Sequence, residues 1–358
     1  MTTREHTRPI RVGDVTIGGG ADISVQSMTN TDPHDAPATL AQIERLRAAG
    51  CRIVRVAVPD KASVPALAAV CTASPLPVVA DIHFDYRLAL DAVAAGAAKI
   101  RLNPGNIGAP ERVRAVADAC RRAGVPIRVG VNGGSLPDSL LARHGGVTPE
   151  ALVEAALEQV ALLHRFDFED ICVALKASDV PTTVAACRLM ARRTRLPLHL
   201  GITEAGTRAR GVVTSAVGLG ALLLDGLGDT LRVSLTADPA EEIAAGFAIL
   251  RAAGLYRRGA DVIACPTCGR CRIDVIRLAA EAERRLAHLT RPVTVAVMGC
   301  AVNGPGEARR ADAGIAGGDG VGLLFRRGEI VGRAPQDKLL DALCDLVERL
   351  DAGQSGPV

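Results

Sequence analysis

Cysteine is concentrated in one short segment of the chain, in an arrangement typical of metal sites. The stretch CPTCGRC places Cys265, Cys268 and Cys271 within seven residues, and VMGCAVNGPGE then supplies Cys300 and, seven residues later, Glu307. Thiolates bind both zinc and iron–sulfur clusters. A zinc ribbon needs a second Cys-x-x-Cys or a pair of histidines, and the sequence offers neither at a suitable place. The spacing therefore favours an iron–sulfur site.

The spacing alone leaves two ligand sets open. One consists of four thiolates, from Cys265, Cys268, Cys271 and Cys300, and the other replaces Cys271 by Glu307. The turn Gly-Pro-Gly at 304–306 can bring the chain back towards a cluster. A four-thiolate cluster would suit electron transfer only, whereas three thiolates and a weaker oxygen ligand leave one iron accessible to a substrate.

A second group of polar residues lies in short β-branched runs, where a buried strand would be apolar. Side chains at i and i+2 share one face of a strand, so Arg101 faces the same side as Asn103 in KIRLN. Parallel sheets are normally covered on both faces, which disfavours a solvated arginine face on four strands. We therefore expect these side chains at the inner mouth of a barrel: Arg55, Asp81, His83, Arg101, Asn103, Arg128, Asn132, Lys176, Arg232 and Ser234.

The excess of arginine at this mouth indicates an anionic ligand. Unpaired guanidinium groups that converge on one site repel each other and lose their hydration unless an anion lies between them. The guanidinium fork matches the geometry of phosphate. We therefore expect a small phosphorylated or diphosphorylated substrate, with Asp81, His83 and Glu204 as acid–base groups on the same rim.

Regular alternation of strands and helices is needed to position these residues. Eight β-runs alternate with Ala- and Leu-rich helical patterns, which predicts a (β/α)₈ TIM barrel. An open doubly wound sheet is the competing prediction, but TNTDPHD after the first run is not a Gly-rich nucleotide turn. The eight runs lie at 23–28, 53–58, 77–82, 99–103, 126–132, 171–176, 196–203 and 230–235.

The repeating pattern ends with the predicted eighth helix at 237–254, and a smaller α/β unit follows from about residue 259. Its predicted elements include a helix near 272–288, with His288 on its surface, the strand VTVAV and a closing helix near 336–350. We place the boundary between the domains so that residues 1–256 form the barrel and residues 257–358 form the metal domain.

Composition excludes several classes of protein. A net charge of +3 with no cluster of Lys and Arg gives no indication of nucleic-acid binding. The polar start MTTREHTRPIRVGD is unlike a signal peptide, and no apolar run reaches the roughly 18 residues of a membrane span. Ten cysteines in such a chain fit a reducing compartment, and we expect a cytoplasmic protein.

Several long motifs occur together and in a fixed order: VQSMTNT, VVADIHFDYRLAL, IRLNPGNIG, PIRVGVNGGSL, LKASD, LHLGITEAG, GLGDTLRVSLTADP, IACPTCGR and GCAVNGPGE. With these motifs the chain resembles the 4-hydroxy-3-methylbut-2-enyl diphosphate synthases of the methylerythritol phosphate isoprenoid pathway. The resemblance runs from about residue 8 to at least residue 350, and the length matches the short bacterial form.

The resemblance implies an N-terminal TIM barrel followed by a smaller α/β domain with a [4Fe–4S] cluster. It implies three cysteine ligands and one glutamate, here Cys265, Cys268, Cys300 and Glu307, with Cys271 an unliganded neighbour. It further implies reduced flavodoxin or ferredoxin as electron donor, and a homodimer in which the cluster domain of one chain closes the barrel of the other. The substrate residues it implies are Arg55, Asp81, His83, Arg101, Asn103, Arg128, Asn132, Lys176, Thr203, Glu204, Arg232 and Ser234.

The implied reaction is the reductive ring opening and dehydroxylation of 2-C-methyl-D-erythritol 2,4-cyclodiphosphate. We expect Glu204 to deliver the proton, Asn303 to assist beside the cluster, and Glu307 to be a displaceable ligand. The alternative function is a phosphate- or pterin-binding barrel enzyme with a structural metal site. A pure electron carrier is a weaker candidate, because it has no need of an arginine-lined pocket.

Overall fold

The computed structural model describes residues 1–301, 306 and 308–352, with only the backbone of Pro104. The chain divides into two compact units, Met1–Leu255 and Tyr256–Val358. Each unit has its own sheet. None of the helices within the described residues is long and apolar enough to cross a membrane.

An eight-stranded parallel barrel forms the centre of the first unit, as predicted. Its strands lie in the order β8-β7-β6-β5-β4-β3-β10-β9, and a bridge between Val173 and Leu198 closes the ring. Val and Ile are frequent in these strands, and the outward side chains are buried beneath the helices. The strands are β3 Ser24–Met28, β4 Ile53–Ala57, β5 Val78–Asp81, β6 Lys99–Leu102, β7 Ile127–Asn132, β8 Ile171–Lys176, β9 His199–Leu200 and β10 Thr230–Leu231.

Several helices of this unit begin after a residue whose side chain caps them. Asp35, Asp85, Asp179 and Asp238 each accept a hydrogen bond from a backbone N–H of the first turn. These short polar caps end the loop that follows a strand, so each strand's carboxyl end leads directly into a helix. The helices are α1 Ala36–Ala48, α2 Val64–Ala73, α3 Tyr86–Ala94, α4 Pro104–Ile107, α5 Pro110–Ala123, α6 Asp138–His144, α7 Pro149–His164, α8 Val180–Arg193, α9 Arg208–Leu224 and α10 Pro239–Ala252.

A short hairpin closes the lower end of the barrel, where the strands begin. Its strands are β1 Ile10–Val12 and β2 Val15–Ile17, joined by a turn in which Gly13 has φ 60°. Its four apolar side chains are buried against Ile53, Val79 and Cys172 inside the barrel. The hairpin therefore forms an apolar plug, which the sequence analysis did not predict.

Within its described residues, the second unit contains a five-stranded mixed sheet and the two packed helices α11 and α12. The sheet order is β11-β12-β13-β14-β15, with β11, β12 and β13 parallel and the last two strands antiparallel. Leu278, Val295 and Leu343 lie in its apolar core. The elements are β11 Ala260–Ala264, α11 Val275–Arg285, β12 Val293–Met298, β13 Ala313–Ala316, β14 Val321–Arg326, β15 Glu329–Pro335 and α12 Leu339–Asp351.

Three predicted elements are longer in the sequence analysis than in the structure. The seventh and eighth β-runs shrink to the two-residue strands β9 and β10, because glycine and polar residues leave the ladder soon after them. The helix predicted near 272–288 ends at Arg285. His288 therefore lies beyond the helix, where its Nδ1 is 2.9 Å from the carbonyl oxygen of Arg285.

Candidate functional site

A polar cavity of about 170 Å³ lies at the carboxyl ends of the barrel strands. Barrel active sites lie at this end because loops of several strands meet there. Ten of the twelve predicted substrate residues line it, together with Gly130 and Ala174. The ten are Arg55, Asp81, His83, Arg101, Arg128, Asn132, Lys176, Thr203, Arg232 and Ser234.

Asp81 holds the positions of the basic groups on one side of the cavity. Its Oδ1 accepts a hydrogen bond of 3.1 Å from Nη1 of Arg101, and its Oδ2 lies 3.8 Å from Nε of Arg55. His83 Nε2 lies 3.5 Å from Oδ2. Burial opposes ionisation of Asp81, but His83 and the two arginines outweigh it and hold the pKa of this carboxyl well below its usual range.

Glu242 fixes the position of Arg232, another cation of the cavity. The sequence analysis did not identify Glu242. Both carboxylate oxygens bind Arg232, at 3.1 Å from Nε and 3.0 Å from Nη2. Ser27 and the backbone N–H of Leu235 also donate to Glu242, which is only 2% exposed. Glu242 lies in α10 and not in a strand, so strand phase could not identify it.

The cavity has an excess of positive charge. The described lining residues include five cationic side chains and one carboxylate, that of Asp81. The only further carboxylate that pairs with these cations among the described residues is Glu242. Burial, with the charges of neighbouring arginines, lowers the pKa of Arg55 to about 10 and lowers that of Arg128 and Lys176 well below their usual values. These shifts have the direction expected for buried charges that lack a compensating partner. An anion in the cavity would relieve them.

Two cations of the cavity, Arg128 and Lys176, form no ion pair with a carboxylate among the described residues. Arg128 is 3% exposed, and its Nε has no hydrogen-bond partner among the described residues. Lys176 lies against Gly201, where a Cβ atom would stand 2.6 Å from Nζ. Only glycine at position 201 leaves room for the amine of Lys176 in this place.

Asn103 and Glu204 are the two predicted substrate residues that do not line the cavity. Asn103 is buried, and its side-chain oxygen accepts a hydrogen bond from the N–H of Gly105 at the start of α4. Glu204 is exposed and has φ 54°, a left-handed conformation that costs a non-glycine residue about 1–2 kcal/mol. Such local strain is concentrated at functional sites.

A second cavity, of about 220 Å³, lies in the second unit and also contains arginines. Here Arg291 donates to the carbonyl oxygen of Asp351, and Arg327 lies 3.8 Å from Asp312. Arg291 and Arg327 are exposed to solvent. Solvated charges of this kind need no ligand, so the barrel cavity is the better candidate for an anion site.

The cysteine segment lies at the carboxyl ends of β11 and β12. Cys265 follows β11, and its sulfur accepts a hydrogen bond of 3.1 Å from the N–H of Gly299, next to Cys300. Cys268 is exposed, and hydrogen bonds from the backbone and side chain of Arg270 lower the pKa of its thiol. Cys271 packs on the apolar core of the unit, with its sulfur against Gly299.

Thiol chemistry at this place fits a cluster with cysteine ligands. The lowered pKa of the Cys268 thiol and the amide donor on the sulfur of Cys265 are features of iron–sulfur ligands. Among the described residues, no three Cys, His, Asp or Glu side chains are close enough to hold a metal ion. The predicted residues Glu307 and Asn303 lie outside the described residues, so the proposed ligand set stays a prediction.

Two family models match the chain, and together they cover most of it. Residues 7–247 match the GcpE TIM-barrel domain, and residues 261–349 match the GcpE protein C-terminal domain. The two matched regions correspond to the barrel and to the five-stranded sheet unit.

Two similar proteins are each named 4-hydroxy-3-methylbut-2-en-1-yl diphosphate synthase (flavodoxin). The one from Geobacter sulfurreducens is 58% identical over 344 residues, which cover 96% of this chain and 98% of that protein. The one from Caldanaerobacter subterraneus is 52% identical over 347 residues, covering 97% and 98%.

Among solved structures, dihydropteroate synthase from Yersinia pestis is similar to the barrel. It aligns with a TM-score of 0.50 at 13% identity, covering 70% of this chain and 99% of that chain. At this level of identity the similarity concerns the fold alone.

Proposed function

The chain belongs to the GcpE family, and on that premise we propose how its residues carry out the family's reaction. It is an oxidoreductase that converts 2-C-methyl-D-erythritol 2,4-cyclodiphosphate to 4-hydroxy-3-methylbut-2-enyl diphosphate, for the synthesis of isoprenoid precursors. A ring C–O bond breaks and frees a phosphate oxygen, and the C3 hydroxyl leaves as water. Two electrons and one proton are consumed, and the negative charge of the diphosphate grows by one.

The cation excess of the barrel cavity is the observation that carries our assignment of the substrate site. Arg128 and Lys176, which have no carboxylate partner among the described residues, bind the diphosphate directly. Arg101 and Arg232 offer it their remaining N–H groups, while Asp81 and Glu242 keep both guanidinium planes in position. These fixed charges stabilise the oxygen that becomes anionic on ring opening.

The polar groups around the cations orient the rest of the substrate. Asn132, Thr203 and Ser234 line the same cavity and can donate to its hydroxyl and ester oxygens. His83 lies at the rim beside Asp81. Asn103 supports the site indirectly, because its cap on α4 fixes the loop that follows Arg101.

Glu204 is our candidate for the group that protonates the departing C3 oxygen. It is an exposed carboxyl on the loop after β9, next to the cavity residue Thr203. Its left-handed backbone aims the side chain in a direction that an ordinary extended residue would not give it. Proton donation from a positioned carboxyl accelerates such a step by roughly 10²–10⁴-fold.

Enzymes of this family contain a [4Fe–4S] cluster, which when bound supplies the two electrons. We propose Cys265, Cys268, Cys300 and Glu307 as the residues of this chain that hold it. Support comes from the hydrogen bond that Gly299 donates to the sulfur of Cys265 and from the lowered pKa of the Cys268 thiol. We propose that Asn303 lies beside the cluster and assists proton delivery.

Reduced flavodoxin is the electron donor that the names of the relatives indicate. We propose that the reaction takes place in the cytoplasm and that the enzyme is a homodimer. Support for a dimer comes from Val213, Val217 and Leu224, which form an exposed apolar stripe along one face of α9. Sedimentation equilibrium of the wild type and of Val217→Lys tests this, and a wild-type monomer would contradict it.

The proposed function is tested with cluster-loaded protein, reduced flavodoxin and the cyclodiphosphate under anaerobic conditions. We expect release of 4-hydroxy-3-methylbut-2-enyl diphosphate, which mass spectrometry identifies. Glu204→Gln should keep the absorbance of the cluster and bind the substrate, but lose turnover by roughly 10²–10⁴-fold.

Glu44→Gln is the matched control, because Glu44 is an exposed carboxyl whose partner is Arg47 in the same helix. It should turn over normally. Absence of product from the wild type would contradict the proposed function. Normal turnover by Glu204→Gln would contradict only the assignment of Glu204.

A further inference from the structure

A second layer of polar side chains lies inside the barrel below the substrate cavity, and the proposed reaction does not use it. Lys99 of β6 is 0% exposed and His199 of β9 is 1% exposed. Lys99 stands two residues before Arg101, so both side chains point to the inside of the barrel. Nζ of Lys99 and both ring nitrogens of His199 have no hydrogen-bond partner among the described residues.

The surroundings of Lys99 are apolar below and cationic above. The hairpin plug packs on Val79, the register partner of Lys99, and on Cys172 of β8. The groups that act electrostatically on Lys99 are Arg128 of β7, Arg55 of β4 and Cys172, and Lys99 in turn acts on His199. No carboxylate is among them.

A charged ammonium group is therefore unfavourable in this place while the cavity is empty. Burial, together with the charges of Arg128 and Arg55, lowers the pKa of Lys99 to about 7. The thiol of Cys172 supplies no compensating charge near neutral pH, because burial raises its pKa to about 11. A polyanion above Arg101 and Arg128 would reverse this balance.

We propose that Lys99 is an internal proton acceptor for the diphosphate site: its amine is uncharged in the empty barrel and becomes protonated when a diphosphate binds above it. The inference rests on the proposed function, which makes a diphosphate the ligand of the cavity. The step is one proton transfer, from solvent to the lone pair of Nζ, and no bond of the substrate changes. Lys99 then acts as a positioning residue that adds one positive charge below the bound diphosphate before the ring opens.

The sign of the pH dependence follows from this arrangement. Well below pH 7 Lys99 is charged with and without ligand, so binding takes up no proton there. Above pH 7 the empty site holds the amine, and uptake rises towards one proton per substrate bound. The dissociation constant of the cyclodiphosphate should then increase with pH, by up to tenfold per pH unit, and this dependence should become flatter in Lys99→Met.

The chain has only four lysines, so the charge of Lys99 can be measured directly. Lysine labelled with ¹³C at Cε gives four signals, and the chemical shift of Cε distinguishes amine from ammonium. Lys61 and Lys338 are exposed and serve as reference signals, and Lys99→Met identifies the signal of Lys99. The spectra are recorded with oxidised, cluster-loaded protein at pH 8, with and without a saturating amount of the cyclodiphosphate.

We expect the Lys99 signal to move from the amine to the ammonium position when the substrate binds. A signal that keeps one position, whether amine or ammonium, would overturn the inference. If Lys99→Met does not fold, Lys61→Arg, Lys176→Arg and Lys338→Arg assign the same signal by elimination. A wild type that does not bind the cyclodiphosphate would contradict the proposed function itself, so the two failures are distinguishable.

Discussion

The barrel mouth and the cysteine segment are both candidate sites, but they reach their geometry in different ways. At the mouth, Arg101, Arg128 and Asp81 project from strands whose register is fixed by pairing on both sides. These charged groups are therefore close together before any ligand binds. In the second unit the thiols lie in loops after β11 and β12, and no three of the described ligand-type side chains are close enough to hold a metal.

The difference indicates what holds each site together. Strand pairing determines the direction of a side chain, and buried salt bridges such as that of Arg232 with Glu242 hold it there. Loop cysteines have no such constraint, and binding of a metal commonly supplies the energy that gathers them. We therefore expect the barrel site to be formed without the cluster, and the cysteine site to depend on it.

The largest expected effect is a loss of iron and turnover in the second unit without a loss of substrate binding in the barrel. Cys265→Ser removes a thiolate that we propose as a ligand, so iron content should fall and turnover should drop to the background rate. The barrel cavity contains no residue of the second unit among those that line it, so calorimetry should still detect binding of the cyclodiphosphate. Loss of binding together with the iron would show that the barrel site is not formed independently.

A smaller effect is expected from a cation of the barrel. Arg128→Ala removes a guanidinium group that pairs with no carboxylate among the described residues, so the change leaves no buried acid unpaired. Affinity for the cyclodiphosphate should fall by about 1.5–3 kcal/mol, or roughly 10- to 150-fold, at normal iron content. Arg121→Ala, on the outer surface of α5, is the control. Unchanged affinity in Arg128→Ala would contradict the anion site.

Arg101→Ala and Arg232→Ala should also weaken binding, but their interpretation is less direct. Each removes the partner of a buried carboxylate, Asp81 or Glu242. Leaving such a group unpaired destabilises the fold as well as the site. Thermal unfolding of both variants should accompany the binding measurements, with Arg128→Ala as the reference.

The smallest expected effect concerns the thiol that we place outside the ligand set. Cys271 packs against Gly299 and the apolar core, and serine is close to it in volume. Cys271→Ser should therefore retain iron content and turnover near those of the wild type. Loss of the cluster in this variant would instead support the set of four thiolates.

Strand phase explains how much of the barrel site could be predicted. Arg101 and Arg128 were placed correctly because alternation within one strand determines which side chains face inward. Lys99 shares the phase of Arg101 in KIRLN, so the same alternation also predicts that it faces inward. Gly13-Asp14 between two alternating runs was also a readable hairpin signal. Both features are therefore encoded in local sequence pattern.

Other features could not be derived from local pattern. Glu242 reaches Arg232 from a helix, and nothing in the helical pattern of α10 indicates which strand residue it meets. Glu204 was identified by its motif, and its left-handed backbone is a property of the folded loop. The choice between Cys271 and Glu307 depends on loop geometry, which spacing does not determine.

The hairpin plug determines at which end of the barrel molecules can enter and leave. Because β1 and β2 seal the lower end with apolar side chains, entry and exit both occur at the upper rim. The water formed in the reaction and the linear product leave through the opening by which the next substrate arrives. Accumulating product therefore obstructs the passage as well as occupying the cations.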